Sequence, residues 1–257
     1  METLSVWSAK QLRRIRRAAL FVIRNTDCNP LKYRPEACYN PLDTLCTYVM
    51  NRSRYRAVAR PYDVIHVDPT TILWNLRVPP RLWPLGTILE GNWDRAFRRP
   101  VDIAWKIVSM RQRFHDGMPW SDTDLFQRFY RPQFEHGPGA LVKGARSMSE
   151  LVATYEREYD GLYVKMREQG FRTPTIGEPD ITFAYVHIDR AGAFMYTLEG
   201  NHRLGMAIAL ELPSIPVRVA TRHHAWQQVR EATRRGDVVP SRQSVHPDLC
   251  DLHRGRA

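Results

Sequence analysis

The part of the chain that says most about its fold is the stretch Glu199-Gly200-Asn201-His202-Arg203-Leu204-Gly205-Met206-Ala207. A strand-like run of apolar residues, 193–198, comes directly before it, and a helix-like run continues from it to about Leu212. A second strand-like run, 214–219, follows at once. The stretch is therefore predicted to be a corner at which a strand passes into a helix. The strand before it is predicted to form a hairpin with residues 182–188, with the turn at 189–192.

Such a corner allows two interpretations. In one it is a tight turn, in which Gly200 makes the bend and Asn201 caps the helix. In the other it binds phosphate, because the first N–H groups of a helix have no intrahelical partner and the helix dipole favours negative charge there. The residue types suit both interpretations, so the flanking sequence has to decide between them.

The flanking sequence resembles the ParB/sulfiredoxin superfamily. The shared pattern is a strand, then Glu-Gly-Asn-His-Arg-x-x-x-Ala, a short helix, and a strand that here runs Ile215-Pro216-Val217. Members of the family carry a G-x-H-R or G-x-R-R core in this place. Residues 62–69 resemble the opening strand of the same domain. The resemblance covers about 62–220 with a large insertion, and the best-matched part is about 182–220.

The resemblance implies a nucleotide-binding fold. Relatives act as a CTP switch in chromosome partition, as an ATP-dependent sulfinic-acid reductase, or as a kinase that uses ATP or ADP. Sulfinic-acid repair needs a cysteine beside the motif histidine, where this chain has Asn201. Partition proteins usually carry a helix-turn-helix domain downstream, and the short remainder after Leu212 does not spell one. We therefore expect an NTP-dependent phosphotransferase or a nucleotide hydrolase that uses ATP or CTP, with Mg²⁺.

The same resemblance assigns the phosphates to Gly200, Asn201, His202 and Arg203. Glycine lets the backbone approach the phosphates closely, and the N–H groups that follow it would point at their oxygens. The guanidinium would neutralise charge with paired hydrogen bonds. The histidine could bind a phosphate as an imidazolium or position one while neutral.

Phosphoryl transfer also needs a carboxylate that activates an acceptor hydroxyl. The first candidate is Glu199, because the sequence holds it against the corner. The second is Asp94, in the segment Gly91-Asn92-Trp93-Asp94, and His202 is a third candidate catalytic residue. The alternative for each acid is an ordinary cap or surface charge.

The segment around Asp94 begins a second pattern, which continues through Arg113-Phe114 and Trp120 and resembles uncharacterised ParB-like proteins. It implies a helical insertion, about 95–170, placed over the nucleotide corner. Within it, Leu125, Phe126 and Phe129 are predicted to face inward on one helix. Ser147 and Glu150 form a capping-box pattern ahead of an apolar stripe at helical spacing. We predict an α+β fold, in which a small mixed sheet of ParB/sulfiredoxin type within residues 61–233 carries this insertion.

Positive charge is concentrated near the N-terminus. Residues 1–60 hold 12 Lys and Arg against 4 Asp and Glu, whereas residues 61–220 hold 19 of each. Residues 8–24 predict a basic amphipathic helix, for which we consider three roles: packing with solvated arginines, membrane-surface docking and nucleic-acid contact. The rival function is therefore a non-catalytic adaptor that binds nucleic acid or an anionic membrane. Residues 25–60 are predicted to be irregular, apart from a short helix or strand at 45–50, and 234–257 to be a disordered tail.

Composition is that of an ordinary soluble globular protein, with 43% apolar and 25% charged residues. No apolar run approaches the roughly 20 residues of a membrane span, and no cleavage site follows the first apolar run. The four cysteines fit no C-x-x-C zinc pattern, although a Cys28, Cys38 and Cys46 metal cluster stays open. These features favour a cytoplasmic protein with reduced thiols. Any association with a membrane is expected to be peripheral.

Overall fold

The computed structural model describes residues 41–76, 83–96, 98–100, 104–136, 141–172, 184–196, 200–237 and 245–253. The predicted basic helix at 8–24 lies outside these residues, and so does Glu199. Cys28 and Cys38 lie outside them as well, while Cys46 and Cys250 are free thiols.

Eight helices lie in the described residues, and two of them contain π-helical stretches. In chain order they are α1 (Pro41–Arg54), α2 (Trp93–Ala96), α3 (Trp105–Phe114), α4 (π-helical Leu125–Tyr130, then Arg131–His136), α5 (Met148–Tyr155, π-helical Glu156–Asp160, Gly161–Gln169), α6 (Asn201–Ala209), α7 (His224–Arg235) and α8 (Cys250–His253).

Seven strands form one mixed sheet, as the α+β prediction required. They are β1 (Val64–Val67), β2 (Trp74–Leu76), β3 (Thr87–Leu89), β4 (Arg98–Pro100), β5 (Ala184–Ile188), β6 (Phe194–Tyr196) and β7 (Ile215–His223). The order is β1-β7-β5-β6-β2-β4, and β3 pairs with the second half of β7. The predicted hairpin is β5 and β6, which pair antiparallel, and β7 lies parallel to β5 on its other side.

Strand alternation divides the core into two sides. On β5, Val186 and Ile188 face the main core, which also holds apolar residues of α3, α5 and α6, while Tyr185 and His187 face the other side. On that other side, Trp93 and Met195 belong to a smaller aromatic cluster. The insertion therefore packs on the same side of the sheet as α6.

Helices α3 and α6 approach each other closely because Gly205 has no side chain. A Cβ at Gly205 would lie 2.7 Å from Met110 Cγ and 3.1 Å from Ile107 Cα. The glycine of the motif is thus what allows the insertion to lie against the corner. One of the two hydrogen bonds of the predicted capping box is present, in which Ser147 Oγ accepts the Glu150 N–H at 3.2 Å.

Three local predictions were wrong. Gly200, not Asn201, is the N-cap of α6, since its left-handed backbone (φ +77°) makes the bend one residue earlier. Residues 41–54 form helix α1, which is longer than the short helix or strand expected at 45–50 within an irregular segment. Phe129, expected to face inward, has 42% of its surface exposed.

The predicted disorder of 234–257 is wrong for residues 245–253. Asp248 is almost fully buried and accepts hydrogen bonds from Arg222 at 2.5–3.2 Å and from Trp226 Nε1 at 2.9 Å. Arg230 also contacts it and bonds Asp251 at 2.6 Å. This ion network fastens the segment to β7 and α7.

None of the helices in the described part of the chain combines the length and the apolar character needed to cross a bilayer.

Candidate functional site

The corner predicted from the motif exists as the N-terminus of α6. Gly200 turns the chain after β6, and its carbonyl accepts the Leu204 N–H at 3.0 Å, so the first helical turn closes on it. The N–H groups of Asn201 and His202 belong to that first turn, where the helix itself supplies no acceptor. Four predicted residues, Gly200 to Arg203, therefore stand together at the positive end of a nine-residue helix.

His202 points from this turn into the aromatic side of α5. Its ring centroid lies 4.3 Å from that of Tyr159 and 6.0 Å from that of Tyr155. Its Nε2 is shielded from solvent and has no hydrogen-bond partner among the described residues. A shielded ring nitrogen without a partner loses its hydration without compensation, which makes a bound partner favourable there.

Burial lowers the pKa of His202 to about 3, and the positive charges of Lys106 and Lys143 lower it further in the same direction. His202 is therefore neutral at physiological pH. The prediction left its charge open, and the structure selects the neutral ring for the free protein.

Two lysines converge on this histidine from different parts of the insertion. Lys106 lies in the first turn of α3, and Lys143 lies in the turn between α4 and α5. Burial of the ammonium group and the charge of Lys106 lower the pKa of Lys143, while Glu158 acts in the opposite direction. The charge of Lys106 thus acts on Lys143 as well as on His202.

The turn that carries Lys143 is built with unusual backbone geometry. Val142 and Ala145 exchange both backbone hydrogen bonds at 3.0 Å, and the two residues between them, Lys143 and Gly144, have φ values of +52° and +84°. Glycine adopts this conformation freely, whereas lysine does so at a cost of about 1 kcal/mol. Strain of this kind at a non-glycine residue suggests that its side chain is needed where it lies.

Tyrosine hydroxyl groups line the inner wall of the site. Tyr130 and Tyr155 share a hydrogen bond of 2.6 Å, and Lys143 Nζ donates to Tyr155 at 3.2 Å. Burial raises the pKa of Tyr159 to about 12 and raises that of Tyr155 further. Both hydroxyls therefore stay protonated, and that of the fully buried Tyr155 is engaged with Tyr130.

Arg203 stands at the rim, with its guanidinium carbon 5.9 Å from the centre of the Phe171 ring. The contact is a cation–π arrangement that directs the charge toward the end of α5. Glu158 acts on the nearby Lys143, whose pKa it raises.

Asp94, predicted as a catalytic acid, belongs to a different part of the molecule. Its carboxylate accepts hydrogen bonds from Arg190 at 2.6 and 2.7 Å, and only 1% of its surface is exposed. Burial alone would raise its pKa, but the bonds from Arg190 hold the pKa below its usual value. Arg190 precedes β6 and Gly200 follows it, so Asp94 lies toward the opposite end of that strand.

No group of three His, Cys, Asp or Glu side chains suitable for a metal occurs in the described residues. Glu199 lies outside them. The donors that the described residues place at the corner include the N–H groups of the first turn of α6 and the ammonium group of Lys143.

The sequence did not single out Lys106, Lys143, Tyr155 or Tyr159 as site residues. The two tyrosines belong to the apolar stripe of α5, which predicted a packing role. The predicted placement of the insertion over the corner could nevertheless have indicated them. Any cation on the side of the insertion that faces the corner would lie near the motif.

Comparison with protein-family models, with curated proteins and with solved structures finds no match to this chain in any of the three. The resemblance to the ParB/sulfiredoxin superfamily remains a prediction, and the functional argument depends on the geometry.

Proposed function

We propose that the protein binds a nucleotide through its phosphates at the N-terminus of α6. The observation that supports this most directly is the shielded Nε2 of His202, which has no partner among the described residues and whose ring lies against Tyr155, the tyrosine that Lys143 bonds. Positive charge beside such a group attracts anions and raises their local concentration.

Each part of the corner would have a distinct task. The N–H groups of Asn201 and His202 would donate to phosphate oxygens, and the lysines would neutralise their charge. Arg203 at the rim would reach the outer phosphate, where paired hydrogen bonds fix its orientation. We propose that Mg²⁺ accompanies the nucleotide and is held mainly by its phosphates, as is common for that ion.

We further propose transfer or hydrolysis of the terminal phosphoryl group, with Glu199 as the acid that activates the acceptor. Its place in the chain, directly before Gly200, is the support for this assignment. Asp94 is not part of the proposal, because its carboxylate is fully engaged by Arg190.

Calorimetric titration with ATP, ADP and CTP in the presence of Mg²⁺ tests the binding. Lys143→Met should weaken binding about tenfold or more, since a charge-assisted bond is lost. Lys165→Met is the matched control, because Lys165 is an exposed lysine on α5 and should leave the affinity unchanged. No binding of any nucleotide, or equal effects of the two substitutions, would refute the proposal.

A second candidate function, the adaptor that binds nucleic acid or an anionic membrane, has one structural observation in its favour. Arg52, Arg54, Arg56 and Arg60 are all exposed, and two of them line a cavity of about 430 Å³ between α1, β1 and residues 247–251. Binding of either polyanion should weaken steeply with salt and disappear without residues 1–60. Polyanion binding that salt does not affect would exclude it.

A further inference from the structure

Two aromatic side chains are exposed in the described residues, and they contact each other. Trp105 and Phe129 have 41% and 42% of their surfaces exposed, and their ring centroids are 5.7 Å apart at an angle of 57°. Every other aromatic side chain whose burial is known is at least partly covered. An exposed aromatic pair keeps a large apolar surface in water, which is unfavourable unless it serves a contact.

The pair is held rigidly by the packing of α3 against α4. Ser109 Oγ accepts the Leu125 N–H at 2.8 Å, and Gln112 Oε1 accepts the Asp124 N–H at 2.8 Å. These bonds join the helix that carries Trp105 to the start of the helix that carries Phe129. The two rings therefore form a fixed surface.

This surface borders the basic corner. Trp105 directly precedes Lys106 in the first turn of α3. The Phe129 ring centroid lies 5.2 Å from that of Tyr130, and Lys143 Nζ lies 6.0 Å from the Tyr130 ring centroid. A ligand with an anionic end among the lysines could thus extend its other end toward the aromatic pair.

The chemistry that fits both features is a nucleotide. A flat base stacks on exposed aromatic rings whichever base it is, because every base has a π-face. A small ligand fits this arrangement better than a membrane surface does, because the ammonium group of Lys143 is held against the buried Tyr155. The arrangement also suits a single nucleotide, since the charges of Lys106 and Lys143 both act on one histidine, His202.

We propose that Trp105 and Phe129 stack on the base of the nucleotide whose phosphates bind at Lys106, Lys143 and His202. This inference rests on the proposed function, to which it adds the place of the base and a stacking mode that tolerates different bases. Trp105 supplies the larger ring and is expected to contribute most.

The test compares Mg-ATP with inorganic tripolyphosphate by calorimetry, because the second ligand has the phosphates without the base. Wild-type protein should bind ATP about 5- to 100-fold more tightly than tripolyphosphate. Trp105→Leu should remove this difference and leave the tripolyphosphate affinity unchanged, and Trp105→Tyr should largely retain it. Phe129→Leu should reduce it. Leu73→Ser, at an apolar residue that is 62% exposed, is the control and should change neither affinity.

The outcomes separate the two proposals. If tripolyphosphate and ATP both fail to bind, the proposed function fails. If tripolyphosphate binds as tightly as ATP, or if Trp105→Leu weakens both ligands equally in a folded protein, the phosphate corner stands and the base-stacking inference is overturned. Tighter binding of a single-stranded oligonucleotide than of ATP, with the same loss in Trp105→Leu, would also overturn the assignment to a single nucleotide.

Discussion

The ammonium group of Lys143 donates a hydrogen bond of 3.2 Å to the hydroxyl of Tyr155, although the backbone of Lys143 is left-handed. The bond links a strained surface turn to the buried tyrosines of the insertion. Because Lys143 also lowers the pKa of His202, the same side chain joins the turn to the predicted corner. Substitutions at Lys143 can therefore test its contribution to stability and its contribution to ligand binding separately.

Replacement of Lys143 by glycine should remove ligand binding without unfolding the protein. Glycine adopts the left-handed backbone at no steric cost, which offsets part of the lost side-chain contacts. We expect thermal stability within about 1 kcal/mol of wild type and tripolyphosphate affinity reduced at least as much as in Lys143→Met. A large loss of stability would show that Lys143 acts mainly in packing.

Gly205→Ala should destabilise the protein by about 1–3 kcal/mol, because the added Cβ would lie 2.7 Å from Met110 Cγ and 3.1 Å from Ile107 Cα. Thermal or urea denaturation measures the change. The control is Gly161→Ala in α5, where a Cβ meets nothing within 4 Å and where alanine should stabilise the helix by about 0.5–1 kcal/mol. Equal stability of the two variants would contradict the close packing of α3 on α6.

Asp248→Ala should destabilise the protein by about 3–5 kcal/mol, because it leaves Arg222 buried without its carboxylate and leaves Arg230 with Asp251 as its remaining one. Asp237→Ala, which breaks an exposed pair with Arg235, should change stability by less than about 1 kcal/mol. If the two substitutions have similar small effects in urea denaturation, residues 245–253 are not fastened by this network.

The same network predicts a loss of stability in acid. Burial alone would raise the pKa of Asp248, but Arg222 and Arg230 hold it well below its usual value. A depressed carboxylate pKa contributes stability above the unfolded value of about 3.9, and this contribution is lost as the pH falls toward the folded value. The free energy of unfolding of the wild-type protein should therefore decrease as the pH is lowered below about 4. Asp248→Ala should show a smaller decrease over the same pH range.

His202 predicts a separate change at higher pH. Its pKa is about 3 in the folded protein against an ordinary 6.5, so below pH 6.5 the unfolded chain binds a proton that the folded chain does not. Stability should therefore decrease as the pH falls from 6.5 toward 3. His202→Gln should reduce this slope, whereas His115→Gln, at a side chain that is 61% exposed, serves as the control. An unchanged slope in His202→Gln would contradict the buried neutral ring.

The local parts of the fold could be predicted from the sequence. Strand alternation and helical spacing are periodic, so the hairpin of β5 and β6, the corner at Gly200 and the helix after Ser147 were all expected where they lie. The shift of the cap from Asn201 to Gly200 is a difference of one residue in backbone conformation, which composition alone does not determine.

The errors concern interactions between residues far apart in the chain. Asp94 resembles a catalytic acid until Arg190, 96 residues later, is found to bind it. The segment around Asp248 is polar and predicts disorder, and its order depends on arginines that β7 and α7 bring to it. Lys143 could not be assigned to the corner for the same reason, since only the folded insertion places it beside His202.

The most direct test of the phosphate corner is nitrogen NMR of the histidine rings during titration with tripolyphosphate. We predict a saturable shift of the His202 ring resonances, because the anion would form a hydrogen bond with Nε2 and offset the charges of Lys106 and Lys143. His115 should not respond, and the His202 shift should be lost in Lys143→Met and kept in Lys165→Met. Calorimetry gives the concentration of tripolyphosphate at which the protein is saturated. If the His202 resonances are unchanged at that concentration, the phosphates do not bind beside His202.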